Sequence, residues 1–311
     1  MNIIGLGMAT LDILIRLRDL PTWEGCGSFG AFGMDGGGMA GTACVAAARL
    51  GANVGFISTA GNDEMAERKL ASFRQAGVDL SRMVRRDEPE NQLVLVYVHE
   101  DSGERVFSGM RKDGATPLQV AELDRAYIQS AQFLHLDGYY PTAALQAAQW
   151  AHEAGVQVCL DGTKTDGGPL SATWHELVRQ ADILICAAGF GQSLTGLADP
   201  WESGAAALTL GPRIVVQTEG EQGSYTVTAT ERFHTPAFRV DVVDTTGAGD
   251  VFHGAYLVAL LHNWDLPRAA RFASAVAAIK CTQPGGRRGI PTFEQTLAFL
   301  QARGYNHSGN D

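Results

Sequence analysis

From Asp241 to Leu261 the chain reads DVVDTTGAGDVFHGAYLVALL, and its residue types suggest a place where charge could be handled. The run from Val251 to Trp264 is apolar on most faces, as in a helix buried within a large domain, so that helix begins near Gly249 or Asp250. A helix leaves its first backbone N–H groups without intrahelical partners, and its dipole favours negative charge there. The amides of Gly247, Ala248 and Gly249 are therefore expected to converge on an anion, with the glycines allowing close approach. A carboxylate beside such a hole suits phosphoryl transfer to an alcohol. The amides stabilise charge on the transferring oxygens, while Asp250 positions the acceptor hydroxyl and takes its proton late. Such a transition state asks little basicity of the acceptor, so an Asp250 of ordinary pKa is expected to serve. A helix cap on a tight turn uses the same residue types, and a lone Gly-x-Gly is not specific.

Other signals bound the possibilities. The chain has no GxxxxGK[ST] loop, and no GxGxxG opens its first strand–helix unit, which argues against P-loop and dinucleotide chemistry. Its eight histidines show no HExxH or Cys/His spacing, so no zinc site is expected; His253 either bonds a phosphate or fills the interface behind the turn. A net charge of −10 with no basic block excludes nonspecific nucleic-acid wrapping. Five cysteines, Cys26, Cys44, Cys159, Cys186 and Cys281, form no CxxC pair and point to a reducing compartment. The start lacks a basic leader and carries Asp12 inside its apolar run, and no apolar segment reaches membrane length. A cytoplasmic protein with neither nucleic-acid nor membrane partners is expected.

The elements that must position these residues follow from pattern. With 311 residues, the chain suffices for one large α/β domain and an accessory element. MNIIGLG, AQFLHLDG, VQVCLDG, ADILICAA and RIVVQTEG are short apolar runs separated by helical stretches, the signature of parallel crossovers. The expected class is α/β, a doubly wound, mostly parallel central sheet flanked by helices. Between these runs, NQLVLVYVHEDSGERVFSGM reads as a hairpin about Asp101-Ser102-Gly103. It is expected to pair with the glycine-rich stretch 12–34 as a small β lid. The expected division is 1–11, 35–90 and 113–311 for the large domain, and 12–34 and 91–112 for the lid.

Two stretches carry a family resemblance. DTTGAGDVFHGA, from Asp244 to Ala255, resembles the C-terminal signature of the ribokinase-like, or PfkB, carbohydrate kinases, and GGGMAGTACVAAARLGANVGFISTAGND, from Gly36 to Asp63, resembles their N-terminal one. The resemblance implies ATP-dependent transfer to a primary hydroxyl of a sugar or related polyol, with Mg²⁺ on the phosphates. It implies Asp250 as base, residues 247–249 as anion hole, and Asp12, Gly37, Gly38 and Thr42 at the acceptor. Arg111 of the lid and Tyr139 are added to the acceptor set. Thr218, Gly220 and Gly223 match the family's Thr-x-Gly-x-x-Gly segment near the phosphates and ribose. Lys164 and Thr246 join them, and Ala277, Cys281 and Gly285 fall in the run lining the adenine pocket. Asp244, with Thr246, matches a monovalent cation site of some members, so K⁺ is a candidate. A homodimer through the lids is also implied, since an exposed β edge needs cover.

Departures from the pattern shape the expected substrate. Thr42 stands where many members have a sugar-touching asparagine; threonine reaches less far, so acceptor size or orientation should differ. Ala187 and Phe190 replace the Asn-x-x-Glu pair that organises magnesium, leaving no direct magnesium ligand assigned and only Asp161 or Lys164 nearby. Within the family the C-terminal segments most resemble sulfofructose kinases. The sulfonate-binding cations expected of those enzymes fall at Cys26 and Gly138, however, so a neutral acceptor is expected unless Arg16, Arg105, Arg111 or Lys112 supplies charge. Sulfofructose kinases, nucleoside kinases and a catalytically weak ligand-binding protein on the kinase fold remain alternatives.

Overall fold

Short apolar runs ending in glycine or aspartate become strands in this computed structural model, which describes residues 1–25, 27–110, 116–163 and 165–305. In chain order the strands are β1 (Ile3–Leu6), β2 (Thr10–Leu17), β3 (Ala31–Gly37), β4 (Val54–Ile57), β5 (Thr59–Ala60), β6 (Val84–Arg85) and β7 (Leu93–His99). They continue as β8 (Arg105–Gly109), β9 (Phe133–Leu136), β10 (Gln157–Gly162), β11 (Ile183–Ala187), β12 (Ile214–Thr218), β13 (Ser224–Thr228) and β14 (Arg232–Thr235). The helices are α1 (Met39–Arg49), α2 (Glu64–Gln75), α3 (Arg125–Gln129), α4 (Pro141–Glu153) and α5 (Ala172–Arg179). After them come α6 (Phe190–Thr195), α7 (Pro200–Leu208), α8 (Ala248–Leu261), α9 (Leu266–Lys280) and α10 (Phe293–Gln301).

Among the described residues, the main sheet runs β14-β13-β12-β11-β10-β9-β1-β4. It is parallel from β12 to β4, and β13 and β14 add antiparallel strands at one edge. Strands buried on both faces send successive side chains to opposite sides. Ile3, Phe133, Cys159 and Ile183 thus face a core built with α1, α2, α8 and α9. Ile4, Leu134, Val158 and Leu184 face a second core built with α4 and α5. Alanine and glycine let α1 and α8 approach closely: a Cβ on Gly254 would strike the Ala43 carbonyl. Among the described residues no helix is long and apolar enough to cross a membrane.

A second sheet, ordered β3-β2-β7-β8, carries the hairpin read from the sequence, with Val94 opposite Gly109 and Val98 opposite Arg105. β2 pairs antiparallel with β3 and parallel with β7. The chain enters β7 past a buried ion pair, Lys69 Nζ to Glu90 Oε2 at 2.6 Å, with both side chains essentially without solvent. Lys69 also donates to the Thr59 carbonyl, and Glu90 accepts from the Gly61 and Gln92 amides. Lys69→Met strands the Glu90 carboxylate, so a loss of about 3–5 kcal/mol is expected in urea unfolding. An unchanged midpoint would show that water replaces the ammonium.

Candidate active site

α8 and the turn before it set the chemistry. Gly247 adopts φ 74° as the N-cap of α8, and a Cβ there would lie 2.9 Å from the Gly286 carbonyl, so glycine is required. The Ala248 amide donates to the Thr245 carbonyl at 3.2 Å and the Val251 amide to the Gly247 carbonyl at 3.0 Å. Among the described residues, the amides of Gly247, Gly249 and Asp250 find no acceptor. Of the expected trio, the Ala248 amide closes the first turn, while those of Gly247 and Gly249, with that of Asp250, are the donors without an acceptor. The half-buried Asp250 carboxylate accepts no hydrogen bond among the described residues. Burial pushes it up to about 7; the Asp137 and Asp12 charges push the same way, against Arg287 and Lys280.

Asp12 lies on β2, 7% exposed, and accepts from Thr10 Oγ1 at 2.6 Å. Burial raises its pKa, the Thr10 hydrogen bond and the Arg287 charge oppose, and the Asp35 charge adds to the rise. Gly37 closes β3 against Asp12, where a Cβ would collide with the carboxylate, and Gly38 caps α1 at φ 89°. Thr42 is fully buried on α1, and its Oγ1 accepts from Arg287 Nε at 3.2 Å, which leaves its O–H to donate.

Arg287 went unnoticed in the sequence. It is 2% exposed and also donates to the Gly37 carbonyl at 2.6 Å and Ser72 Oγ at 2.8 Å, with its guanidinium over Phe73. Burial lowers it to about 10, while the Asp35, Asp12 and Asp250 charges pull it back up. Gly36 and Gly41 leave it room.

Asp137, also unassigned from sequence, receives the amides of Met8, Ala40 and Tyr139 at 2.8–3.1 Å, joining the end of β1 to the mouth of α1. Tyr139 packs edge-on against Tyr140, whose hydroxyl is held by Thr59 and Gln92. Arg111, Lys112, Lys164 and Cys26 lie outside the described residues. Arg16 bonds the Glu100 carbonyl on the small sheet.

Thr218 ends β12, and Gly220 and Gly223, both at positive φ, form the turn after it. Cys281 caps α9: its amide donates to the Ala277 carbonyl at 3.1 Å, and its carbonyl accepts the Val243 and Asp244 amides, so the 241–250 segment is tied to α9. Asp244 is fully engaged: Oδ1 accepts from the Thr246 amide and Arg105 Nη1, and Oδ2 from the Gly285 amide. Lys280, buried, donates to its carbonyl at 2.9 Å. Arg105 reaches from β8 and also bonds Thr246 Oγ1 and Thr245 Oγ1. Two protein cations thus stand where a monovalent ion was expected.

Ala187 ends β11 and Phe190 is fully buried against Trp174, and neither side chain has an atom that ligates a cation. Asp161 on β10 is pushed well above the usual carboxylate range by burial, with the Asp250 and Asp137 charges adding. His135, Cys159 and His253, which no sequence spacing joined, come together beneath α8.

Comparison with known proteins agrees with this architecture. Residues 11–293 match the model of the pfkB family carbohydrate kinases. The chain is 30% identical over 303 residues to an ATP-dependent ribose-1-phosphate kinase of Halopiger xanaduensis, covering 97% of this chain and 99% of that one. It is 29% identical over 270 residues to a 2-dehydro-3-deoxygluconokinase of Bacillus subtilis, covering 82% and 83%. Arabidopsis thaliana ribokinase, solved with ribose and ATP, shares the fold at a TM-score of 0.82 and 24% identity, covering 96% of this chain and 98% of that one. With its two signatures on one doubly wound sheet and a family match across most of its length, the chain belongs to the pfkB family of ATP-dependent carbohydrate kinases.

Proposed function

We propose that the protein transfers the γ-phosphoryl group of ATP to a primary hydroxyl of a neutral sugar or sugar derivative, with Asp250 as base and the Gly247 and Gly249 amides as anion hole. The observation that carries this reading is the pairing, at one helix mouth, of unsatisfied amides with an unbonded carboxylate of pKa about 7. Asp12 is the hydroxyl ligand; its carboxylate accepts two hydroxyls, which suits a polyol. Gly37 and Gly38 let the acceptor approach, and Thr42 with Arg287 supports them from behind. Four carboxylates, Asp12, Asp35, Asp137 and Asp250, line or flank this region, and the buried cation among them is already hydrogen-bonded, which favours a neutral acceptor over a sulfonate. Arg111 and Tyr139 complete the acceptor set.

Thr218, Gly220 and Gly223 would hold the nucleotide's phosphates and ribose, Ala277, Cys281 and Gly285 its base side, with Lys164 and Thr246 toward the phosphates. Bound Mg-ATP supplies the phosphoryl group and neutralises part of its charge. The apolar Ala187 and Phe190 give magnesium no ligand, so the ion would be held mostly by phosphates and water. That same departure favours a second reading, a ligand-binding protein with weak turnover. ADP release over a panel of ketoses, aldoses, sugar phosphates, a 6-sulfo sugar and ribonucleosides separates them. Turnover of a neutral sugar is the expected result; turnover of the sulfo sugar alone overturns the neutral-acceptor assignment, and tight binding without ADP favours the binder.

Because Arg105 and Lys280 surround Asp244, exchanging K⁺ for Na⁺ is expected to change the rate by no more than about twofold. A strong K⁺ requirement would contradict this. The small sheet acts as a lid and, with the loop between β2 and β3, as a homodimer surface: Phe32 and Phe107 are exposed on its strands and Trp23 and Phe29 on that loop. Light scattering is expected to give twice the chain mass, and the doubly altered Trp23→Ser, Phe29→Ser chain the single mass. A monomer in the unaltered chain would remove the dimer.

A further inference from the structure

The core beneath α8 holds polar side chains that phosphoryl transfer does not use. His135 of β9 and Cys159 of β10 are register partners on adjacent parallel strands, so both project from one face of the sheet toward α8. His253 comes down from α8, one turn beyond Asp250. One donor atom from each of the three lies within 4.8 Å of the others. His135 and Cys159 are wholly buried and His253 is 3% exposed.

These imidazoles are poorly partnered. His253 Nδ1 has no hydrogen-bond partner, and the His135 nitrogens have none of good geometry, the ring lying against the Cys159 backbone; the Tyr256 hydroxyl, one turn further along α8, lies toward Thr226. Three of the seven buried side-chain atoms without a well-formed hydrogen bond among the described residues belong to His135 and His253. Folded proteins rarely leave a buried polar atom unpaired, because each costs about 1–3 kcal/mol. Several in one place call for a bound species that accepts from or is coordinated by all of them. Two imidazoles and a thiol are the donor set that zinc prefers. The second nitrogen of His253 supplies a further indication. Its Nε2 faces Asp161 Oδ1 at 3.7 Å, which leaves Nδ1 for a metal in the carboxylate–imidazole–metal arrangement that orients ligating histidines.

We propose that His135, Cys159 and His253 form a binding site for a divalent ion of the zinc class, with Asp161 as the positioning residue for His253. Coordination breaks the Cys159 S–H bond; sulfur keeps the electron pair as the donating thiolate, and the proton leaves to solvent. Metal–ligand distances of about 2.0–2.3 Å draw the three donors together by about 1 Å. The ion joins β9, β10 and α8, and so clamps the helix that presents Asp250.

The test counts metal in the intact chain, expressed in zinc-supplemented medium and purified without chelator. About one zinc per chain is expected by mass spectrometry, and less than about a tenth of that in Cys159→Ser and His135→Asn. Asp161→Asn is expected to weaken affinity by about 10–100-fold. With cobalt in place of zinc, a thiolate-to-cobalt charge-transfer band is expected in the unaltered chain and not in Cys159→Ser. Absence of metal from the unaltered chain would mean that buried water satisfies these atoms, and would overturn the proposal. Equal metal in the variants would overturn it too, by placing the ion elsewhere. If the variants fail to fold, a cobalt spectrum of the unaltered chain lacking thiolate character is sufficient to reject the site.

Discussion

Asp250→Asn is expected to lose activity by about 10³-fold, within the range that general bases contribute, while the folded chain becomes more stable at pH 8. The two effects share one cause. Burial raises the carboxyl from 3.8 to about 7, so the folded state holds its proton more tightly than the unfolded state does. The sign follows from that difference. Its favourable contribution is complete below pH 3.8 and is lost as pH rises toward 7, above which the ionised carboxylate is held at a cost. Full conversion at about 1.4 kcal/mol per tenfold change would give about 4 kcal/mol. Partial exposure of Asp250 reduces the expected gain to about 1–2 kcal/mol. Urea unfolding at pH 8 and pH 4 should therefore show the asparagine variant ahead at the first and level at the second. The same pKa sets the unaltered enzyme's pH dependence: kcat/KM is expected to fall about tenfold per unit below pH 7. A flat profile from pH 5 to 8 would remove Asp250 as the titrating base.

Arg287→Met is expected to cost about 3–5 kcal/mol, because it leaves the Gly37 carbonyl and the Thr42 and Ser72 hydroxyls without their donor in a dry site. Its effect on catalysis is separable from that loss. The guanidinium charge holds down the pKa of both Asp250 and Asp12, so its removal shifts the acid limb of kcat/KM to higher pH. Arg287→Lys keeps the charge and is expected to restore the limb while recovering only part of the stability, since lysine cannot reproduce the three-way fork. If the methionine variant unfolds at the normal midpoint, or folds less stably with an unmoved pH profile, the electrostatic part of this account fails.

What the sequence reveals and what it conceals divide along chain separation. β9 to β12 are short apolar runs with a glycine within two residues of their ends, and the hairpin of β7 and β8 has its turn residues in place, so local pattern suffices for both. Asp250 and its glycines stand within one contiguous segment, and they too are readable. Arg287 is different: its partners Gly37, Ser72 and Thr42 are 215–250 residues away, and nothing local marks it. The raised Asp250 pKa comes first from burial, with Asp137, just past β9, and Asp12 of β2 adding to it, none of them neighbours in the chain. The closing of α8 by the Thr245 carbonyl, which spends the Ala248 amide, depends on a backbone angle at Gly247 that residue types alone leave open. His135 and Cys159 become neighbours only through the register of β9 on β10.

The most direct measurement is a crystal structure of the protein with a non-transferable ATP analogue and the first acceptor found by ADP release. The account expects the Asp250 carboxylate about 2.6–3.2 Å from the acceptor's primary hydroxyl, with the Gly247 and Gly249 amides turned toward the terminal phosphate. A hydroxyl bound across the sheet from Asp250, or a terminal phosphate held by other groups while those amides face solvent, would contradict it.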